Sequence, residues 1–419
     1  MFFPSYAVRL HVFQLHIAQR LALLSLSILI NACSPPEETE STLLVSDILS
    51  SIDNEGFKKV TEKRAFIFPE DHGPHPEYKN EWWYVTGNLT DTNDRQFGYQ
   101  VTFFRISLSS TALSITDRSS KKVVNTELNH NKKTSAWRSH QIWMAHFAIT
   151  DVNNESHTSR ERLVRQALNL SGASSSTTSP FKVWLDDWQL VAQNNDSKHG
   201  FPWQLSIKAQ EQGQNLGLAL ELNATKPLVL QGNDGLSQKS EKIGNASYYY
   251  SFTRLNTQGT LTLNNQTYKV TGNSWLDREW GSSLLDKDQV GWDWLSLQLD
   301  SNEELLYYQL RTNSVNTNSV NTHPSSQGKW IDQQGNTKTI SAKEVILTPL
   351  SWWTAPDGKR FPIRWRLRYP ERRADWIISA LVDNQYMTTS VRYWEGAVKV
   401  MDRKTERVLG LGYLEMTGY

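Results

Sequence analysis

Short segments rich in aromatic and β-branched residues recur along most of this 419-residue chain, and polar turns separate them. Branched and ring side chains pack well on a pleated surface, so segments of this kind are typical of β-strands. Many short strands joined by polar turns predict an antiparallel sandwich or barrel. Residues 160–170 show a weak amphipathic pattern that fits either a helix or a strand. The predicted strands of the first half are residues 81–89, 96–106, 141–150, 181–190, 203–209 and 216–223.

Residues 1–32 are predicted to be the signal peptide of a lipoprotein. Basic residues precede an apolar stretch, residues 21–30, that is too short to span a bilayer as a stable helix. Residues 30–33, Ile-Asn-Ala-Cys, resemble a bacterial lipobox, and Cys33 is the single cysteine. An exported chain with one cysteine cannot build an intramolecular disulfide framework, which fits this role. The alternative is an ordinary signal peptide followed by an incidental cysteine.

Acylation of Cys33, for example by palmitate, would anchor the protein firmly, since several acyl chains hold where one is marginal. Ser34, and not aspartate, follows the cysteine, and by resemblance to known lipoproteins this implies sorting to the outer membrane. We therefore predict a lipid-anchored, periplasm-facing protein of the bacterial cell envelope, in the outer membrane rather than the inner. Residues 33–55 are rich in Pro, Glu, Thr and Ser, and are predicted to be a tether.

The remaining chain is long enough for two domains, predicted as residues 56–235 and 236–419. Residues 231–245 are rich in Gly, Ser, Asn and Lys, which places the boundary there. The hairpins predicted at residues 81–106 and 291–311 are alike in character, which suggests two domains of similar architecture. Residues 313–328 are low in apolar residues and are predicted to be a loop.

Net charge and tryptophan content bound the class of partner. The formal net charge is +1, and no Lys/Arg cluster is interleaved with aromatic residues, so we predict no nucleic-acid partner. The chain has 17 tryptophans, more than core filling usually demands. This content favours a cavity or an interface that is lined by flat apolar rings.

Residues 274–281 carry two acids among aromatic residues. If this segment is a strand, Trp275, Asp277 and Glu279 share one face, and the residues between them share the other. The two carboxylates are then roughly 7 Å apart. An aromatic wall beside them would desolvate one carboxyl and raise its pKa, as a general acid requires. The alternative is an outward face whose acids are solvated or paired with arginine.

Two further acid–base features lie upstream. His72 and His75 would suit a metal, but prolines dominate their loop and no third histidine lies near in sequence. We therefore predict a loop packed over a domain mouth, with no metal and no cofactor. Glu81 begins a strand between aromatic residues, and a buried acid must be paired or protonated. An arginine such as Arg105 is its predicted partner.

Seven motifs, taken together, resemble the AttH-like, carotenoid 1,2-hydratase-like family, from about residue 66 to the last residue. The resemblance implies an all-β fold of two lipocalin-like antiparallel β-barrel or sandwich domains, packed together around an apolar pocket. The motifs are His-Gly-Pro-His at 72–75, Glu-Trp-Trp-Tyr-Val-Thr-Gly at 81–87, Met-Ala-His-Phe at 144–147, Trp-Leu-Asp-Arg-Glu-Trp-Gly at 275–281, Gly-Trp-Asp-Trp at 291–294, Tyr-Trp-Glu-Gly at 393–396 and Gly-Tyr-Leu-Glu-Met-Thr-Gly at 412–418.

The resemblance also implies functions. Some family members look like lipoprotein partners of ABC-type transport systems, and others hydrate an unactivated double bond in carotenoids. The catalytic aspartate of the hydratase branch falls on Asp277, and its neighbouring tyrosine is Trp275 here. A His-x-Trp element of that branch falls on Tyr248 and Tyr250, so its histidine is missing. Glu279 is the candidate for the second catalytic role.

Three functions follow as hypotheses. The first is an anchored lipoprotein that binds a hydrophobic or amphipathic small molecule and assists an ABC-type transport system. The alternative is a cofactor-free hydratase or isomerase of an apolar polyene or lipid, with Asp277 as general acid and Glu279 as its helper. The third is a structural lipoprotein whose aromatic residues fill a core. The predicted ligand-binding residues are Trp82, Tyr84, Tyr248, Tyr250, Trp275, Trp280, Trp292 and Trp294.

Overall fold

The computed structural model of the protein describes residues 54–110, 140–194, 198–211, 213–283, 285–286, 288–312 and 322–419. The predicted signal peptide, Cys33, nearly all of the tether and most of the predicted loop at 313–328 lie outside these residues. The helices within the described residues are two single 3-10 turns, Glu70–His72 and Pro370–Arg372. None of the described helices has the length and apolar composition needed to cross a bilayer.

The first sheet is antiparallel in every pairing and holds strands from the first two thirds of the chain. Its order is β4-β3-β2-β1-β13-β12-β9-β8-β7-β6-β5, and the short strands β10 and β11 pair with β12. The strands are β1 Asn80–Asp91, β2 Gln96–Ser107, β3 Gln141–Asp151, β4 Ser156–Arg165, β5 Ser171–Ser176, β6 Ser179–Leu185, β7 Trp188–Ala192, β8 Trp203–Glu211, β9 Gln214–Ala224, β10 Val229–Leu230, β11 Leu236–Gln238, β12 Ala246–Leu263 and β13 Gln266–Gly281.

The second sheet is also antiparallel and holds the rest of the chain. Its order is β17-β16-β15-β14-β23-β22-β20-β19-β18, and β21 pairs with β22. The strands are β14 Gln289–Leu299, β15 Glu304–Thr312, β16 Gln327–Ile331, β17 Thr337–Ser341, β18 Ile346–Thr354, β19 Arg360–Tyr369, β20 Ala374–Ala380, β21 Tyr386–Thr388, β22 Arg392–Asp402 and β23 Val408–Met416.

Both sheets curl into barrel-like domains, so the predicted all-β fold is confirmed. The ambiguous segment at 160–170 is resolved as a strand, because β4 runs from Ser156 to Arg165. The segment predicted at 181–190 is two strands, β6 and β7, joined at Asp186. Asp186 has a φ of 59°, a left-handed conformation that the short polar side chain of aspartate tolerates better than most.

The change from the first sheet to the second occurs between Gly281 and Gln289. The predicted domain boundary at residues 235/236 does not coincide with this change, since β12 and β13 belong to the first sheet. Strand β1 pairs over its whole length with β13, from Asn80 opposite Gly281 to Asp91 opposite Val270. The polar stretch at 231–245 is therefore a connection within the first sheet, and it carries the short strand β11.

Strand β13 is central because its two faces serve different packing layers. Leu276 and Trp280 point into the hydrophobic core of the first sheet. Trp275 points the other way, into a cluster shared with Trp294 and Tyr308 of the second sheet. The predicted alternation of residues 275–280 is therefore correct, and the face that carries the two acids meets the second sheet.

A buried ion group joins the two sheets. Glu304 of β15 accepts a hydrogen bond from Lys226 Nζ at 2.8 Å and from Arg254 Nε at 2.6 Å. Lys226 and Arg254 belong to the first sheet and its connections, whereas Glu304 belongs to the second. Two cations compensate one buried carboxylate, so breaking the group would leave buried charge unpaired. The group therefore fixes how the sheets face each other around the cavity described below.

Candidate functional site

A cavity of about 120 Å³ lies between the two sheets. It is walled by β1, β2, β3, β12 and β13 of the first sheet and by β14, β15, β22 and β23 of the second. Much of the wall is apolar, which suits a ligand with a large apolar part. The main apolar side chains are Trp82, Phe104, Met144, Trp292, Trp294 and Leu310. The main ionisable side chains are His146, Lys239, Asp277, Glu279, Glu395 and Glu415.

Most of the site residues predicted from the sequence meet at this cavity. Both predicted catalytic acids, Asp277 and Glu279, line it. Trp275 lies directly behind Asp277 and donates a hydrogen bond to it. The predicted ligand-binding residues that line the cavity are Trp82, Tyr84, Trp292 and Trp294. Their placement fits the prediction, and their roles stay predictions.

Four predicted ligand-binding residues do not line the cavity, namely Trp275, which lies behind Asp277, and Tyr248, Tyr250 and Trp280. Tyr248, Tyr250 and Trp280 lie on the opposite face of the first sheet, in its core. The reason is the alternation of side chains along a strand, which turns Tyr249 towards the cavity and its two neighbours away. Trp280 stacks on His75 instead, with ring centroids 3.8 Å apart. These three side chains are therefore core residues away from this cavity, and nothing in the described residues supports a ligand-binding role for them.

Asp277 is fully buried and accepts three hydrogen bonds. Tyr249 Oη donates at 2.5 Å, Trp275 Nε1 donates at 2.6 Å, and the Ser251 hydroxyl donates to the same oxygen as Trp275. Burial raises the pKa of Asp277 to about 7, although these hydrogen bonds act in the opposite direction. A carboxyl that titrates near neutral pH is suited to give and take a proton during turnover.

Glu279 is held differently, in an ion pair with Lys239. The carboxylate and Lys239 Nζ are 2.9 Å apart, and the Ser247 hydroxyl donates to the same carboxylate. Burial acts to lower the pKa of Lys239, but the Glu279 charge outweighs it and the pKa is raised. Lys239 therefore stays charged at neutral pH. Neither acid of β13 is solvated or paired with arginine, which were the alternatives.

Glu395 and Glu415 complete the cavity, and the sequence analysis did not assign them a role. They lie directly opposite each other on β22 and β23, and both are buried. Burial raises the pKa of Glu415 to about 8, and burial together with the Glu415 charge raises the pKa of Glu395 well above its usual value. Their motifs, Tyr-Trp-Glu-Gly and Gly-Tyr-Leu-Glu-Met-Thr-Gly, each place an acid in the middle of an apolar strand. This pattern could have indicated a buried carboxyl.

A second buried charge cluster borders the cavity. The guanidinium groups of Arg105 and Arg278 each donate to one carboxylate oxygen of Glu81, which confirms the predicted Glu81–Arg105 pair. Burial opposes the charge, but the two cations outweigh it and hold the pKa of Glu81 well below its usual range. Arg278 also lies over the Trp83 ring, 3.9 Å from its centroid. This cluster is ionised and paired, so it is suited to holding the fold rather than to proton transfer.

The histidine loop that was considered for a metal forms other contacts. His75 Nε2 lies 3.0 Å from Asp71 Oδ1, and His72 Nδ1 lies 2.6 Å from Tyr250 Oη. Within the described residues, no group of three or more potential ligands is arranged to hold a metal ion. The loop is packed against the core face of the first sheet.

The raised pKa of Asp277 predicts how stability changes with pH. The folded protein holds this proton up to about pH 7, whereas in the unfolded chain it is lost near pH 3.8. The native state binds more protons between these values, so stability falls as the pH rises. The wild type should lose this stability as the pH rises from 5 to 8, whereas Asp277→Asn has no carboxyl to titrate. The unfolding free energy of Asp277→Asn minus that of the wild type is therefore expected to be about 2–3 kcal/mol larger at pH 8 than at pH 5. Urea unfolding of both proteins at the two pH values measures this, and an unchanged difference would contradict the raised pKa.

Comparisons with known proteins agree with this architecture. The family model described as AttH-like matches residues 59–419. A crystal structure from Nitrosomonas europaea that carries the name AttH is 28% identical, covers 87% of this chain and 100% of that chain, and has a TM-score of 0.70. Kievitone hydratase from Nectria haematococca is 14% identical, covers 87% of this chain and 98% of that chain, and has a TM-score of 0.56, which shows a shared fold alone. A search of curated proteins gave no match.

The family match spans both sheets and therefore every wall of the cavity. It includes the strands that carry Asp277, Glu395 and Glu415. The whole chain of the Nitrosomonas structure is matched. On this evidence the chain belongs to the AttH-like family.

Proposed function

We propose that the cavity binds a largely apolar small molecule and transfers a proton to it, as a cofactor-free hydratase or isomerase. The observation that carries this proposal is Asp277, a buried carboxyl with a pKa of about 7 on an aromatic cavity wall. A buried carboxyl with no cation bonded to it costs stability, and such groups cluster at functional sites. Asp277 is the proposed proton donor.

The surroundings of Asp277 suit protonation of a carbon–carbon double bond. Proton transfer to one carbon leaves positive charge on its neighbour, and the faces of aromatic rings attract cations. Trp82, Trp292 and Trp294 supply such rings in the same cavity. In hydration, the oxygen of a water then bonds to the second carbon, and the water releases a proton to a base. In isomerisation, a proton leaves a different carbon instead.

Kievitone hydratase supplies a fold-level analogy only. Its similarity to this chain concerns the architecture, which therefore accommodates a hydratase in at least one protein. The proposal for this chain rests on the carboxyl groups of its own cavity.

The experiment is a search for carbon-bound deuterium. Purified protein is incubated in D₂O with a total bacterial lipid extract, and the products are examined by mass spectrometry against a heat-denatured sample. Both hydration and isomerisation place solvent deuterium on carbon, so both are detected. Incorporation into one lipid class is the expected result. Equal spectra with native and denatured protein would refute the proposed chemistry.

The second candidate function is a lipid-anchored carrier, in which the protein binds an apolar molecule for an ABC-type transport system. The ring-lined cavity favours it, and so does the absence of the hydratase histidine, because Tyr248 stands at that position and faces the core. In this function Cys33 carries the anchor in the outer membrane. Native extraction followed by mass spectrometry is expected to find one bound lipid class, and that class should change when the transporter is deleted.

The anchor has its own test. Labelled palmitate is expected to enter the wild-type protein and not Cys33→Ser, and the label should fractionate with the outer membrane. Release of unlabelled wild-type protein into the periplasm would contradict the anchor.

A further inference from the structure

One end of the cavity holds buried polar atoms without partners. Within the described residues, neither the carboxyl oxygens of Glu395 nor the hydroxyl of Tyr84 have a partner with good hydrogen-bond geometry, although Tyr84 and Glu395 are close enough to shift each other's pKa. Both residues are almost fully buried, and both line the cavity. Buried polar groups without partners are rare and costly, which points to a hydrogen-bonding ligand. Tyr84 and Glu395 face the cavity from the two different sheets, and their polar atoms form an incomplete site.

Glu415 completes this end of the cavity. Its carboxyl accepts a hydrogen bond from Trp292 Nε1 at 3.2 Å, and its strand position is directly opposite Glu395. Two like charges directly opposite each other on neighbouring strands are destabilising. Glu395 and Glu415, called here the carboxyl pair, therefore retain at least one proton between them at neutral pH, because burial and like charge raise the pKa of both. The pair offers both a donor and acceptors to a ligand.

Among the described residues, no cation shifts the pKa of either member of the carboxyl pair. The described groups that shift the pKa of Glu395 are Glu415, Tyr84 and Tyr393. Those that shift the pKa of Glu415 are Trp292 of β14 and the two acids of β13. An anionic ligand group would meet carboxyls and no compensating charge here. A neutral oxygen atom, in contrast, would accept from the pair and from the Tyr84 hydroxyl.

Hydrogen bonds lead from Tyr393, which shifts the pKa of Glu395, to the surface. Tyr393 follows the same face of β22 as Glu395, two positions earlier, and its hydroxyl lies 2.8 Å from His146 Nδ1. The other ring nitrogen, His146 Nε2, lies 2.9 Å from Glu161 Oε2. The side chain of Glu161 is 19% exposed, and it is bonded to the exposed Ser390. Tyr393, His146 and Glu161 are called here the proton chain, since an imidazole can accept a proton on one nitrogen and release one from the other.

We propose that the carboxyl pair and Tyr84 hydrogen-bond one neutral oxygen atom of the bound molecule, and that the proton chain connects this subsite with solvent. The substrate class is therefore an apolar molecule that carries a hydroxyl or carbonyl oxygen, or an alkene whose attacking water occupies the subsite. This inference rests on one part of the proposed function, that the cavity binds a ligand. It does not require that the protein transfers a proton to that ligand.

The first experiment measures the preference for oxygen. Dissociation constants of cyclohexanol and of methylcyclohexane are measured by ligand-observed NMR for the wild type and for Glu395→Leu. For each protein we take the ratio of the dissociation constant of methylcyclohexane to that of cyclohexanol. The two probes differ in hydrophobicity by the same amount in every protein, so this difference cancels when the ratios of wild type and variant are compared. The preference for cyclohexanol is expected to fall at least tenfold in Glu395→Leu, because a buried polar partner is lost. An unchanged ratio would overturn the subsite.

Matched variants separate the subsite from folding. Tyr84→Phe removes one hydroxyl and is expected to reduce the same preference at least threefold, and it serves if Glu395→Leu does not fold. Glu395→Gln keeps a donor and an acceptor, so its ratio should stay near that of the wild type. Met144→Leu conserves the volume of an apolar wall residue and should leave the ratio unchanged. A Met144→Leu effect as large as that of Glu395→Leu would mean that packing, not hydrogen bonding, sets the preference.

The second experiment tests the proton chain without any substrate. The infrared carbonyl band of the carboxyl pair is identified as the protonated-carboxyl band that disappears in Glu395→Gln. Its deuterium shift is timed after rapid mixing into D₂O. Exchange is expected to be at least tenfold slower in Tyr393→Phe and to be unchanged in Tyr386→Phe, a buried phenol away from the cavity. Equal rates in Tyr393→Phe and wild type, or no protonated band in the wild type, would overturn the proposal.

The outcomes also distinguish this inference from the proposed function. An oxygen preference without carbon deuteration leaves the subsite standing and removes the proposed chemistry. Carbon deuteration with an unchanged probe ratio and unchanged exchange keeps the chemistry and removes the subsite.

Discussion

Asp277→Asn is expected to slow the deuteration of lipid carbon by about 10²–10⁴-fold, the usual contribution of a positioned general acid. The amide cannot supply the proton, but it keeps the size of the side chain and an acceptor for Trp275 Nε1. Binding of the apolar ligand should therefore survive. The measurement is the rate of deuterium incorporation at saturating lipid, with bound lipid quantified in the same samples.

Asp293→Asn is the matched control for this variant. Asp293 is also buried, its pKa is raised by burial, and it accepts a hydrogen bond from Tyr419 at 2.8 Å. It does not line the cavity, so its replacement should leave the deuteration rate within a factor of about three. A rate for Asp277→Asn within that same factor would remove Asp277 from the chemistry.

Glu81→Leu is expected to lower the free energy of unfolding by about 3–5 kcal/mol, because removing one partner of a buried ion group leaves charge unpaired. Here two guanidinium groups would lose their carboxylate partner at once. The side chains of Arg105 and Arg278 are both 0% exposed and share this one carboxylate. Urea unfolding at pH 7, followed by tryptophan fluorescence, measures the difference.

Asp234→Ala supplies the comparison on the surface. It removes the ion pair of Asp234 and Lys63, whose side chains are 73% and 48% exposed. Exposed pairs of this kind contribute about 0–1 kcal/mol. If Glu81→Leu costs no more than Asp234→Ala, the buried group is not a source of stability.

The strands could be predicted from the sequence because their signal is local. Aromatic and β-branched residues in short runs identified β1, β2 and β3 close to their observed bounds. The pairing of β1 with β13 could not be predicted, because Asn80 and Gly281 are 201 positions apart and nothing local selects that register. Without that pairing, the polar composition near residue 235 indicated a domain boundary. The structure places this stretch within one sheet, because β13 returns to pair with β1.

The site was predictable only where its residues are near neighbours in sequence. The alternation of Trp275, Asp277 and Glu279 follows from strand geometry, and the buried carboxyl of Asp277 followed from its aromatic neighbours. Glu395 and Glu415 reach the same cavity from strands more than a hundred residues later, so no spacing rule connects them with Asp277. Tyr248 and Tyr250 were predicted to bind the ligand, whereas Tyr249 lines the cavity. The sequence alone could not show which face of β12 points towards the cavity.

The position of the cavity between two sheets has a practical consequence. An occupant touches both sheets, so it binds the native protein and not the unfolded chain. By mass action, a ligand at a hundred times its dissociation constant adds about 2.7 kcal/mol to the native state. The melting temperature of the protein is therefore itself a reporter, and a compound library ranked by that temperature would reveal the natural cargo before any reaction is known.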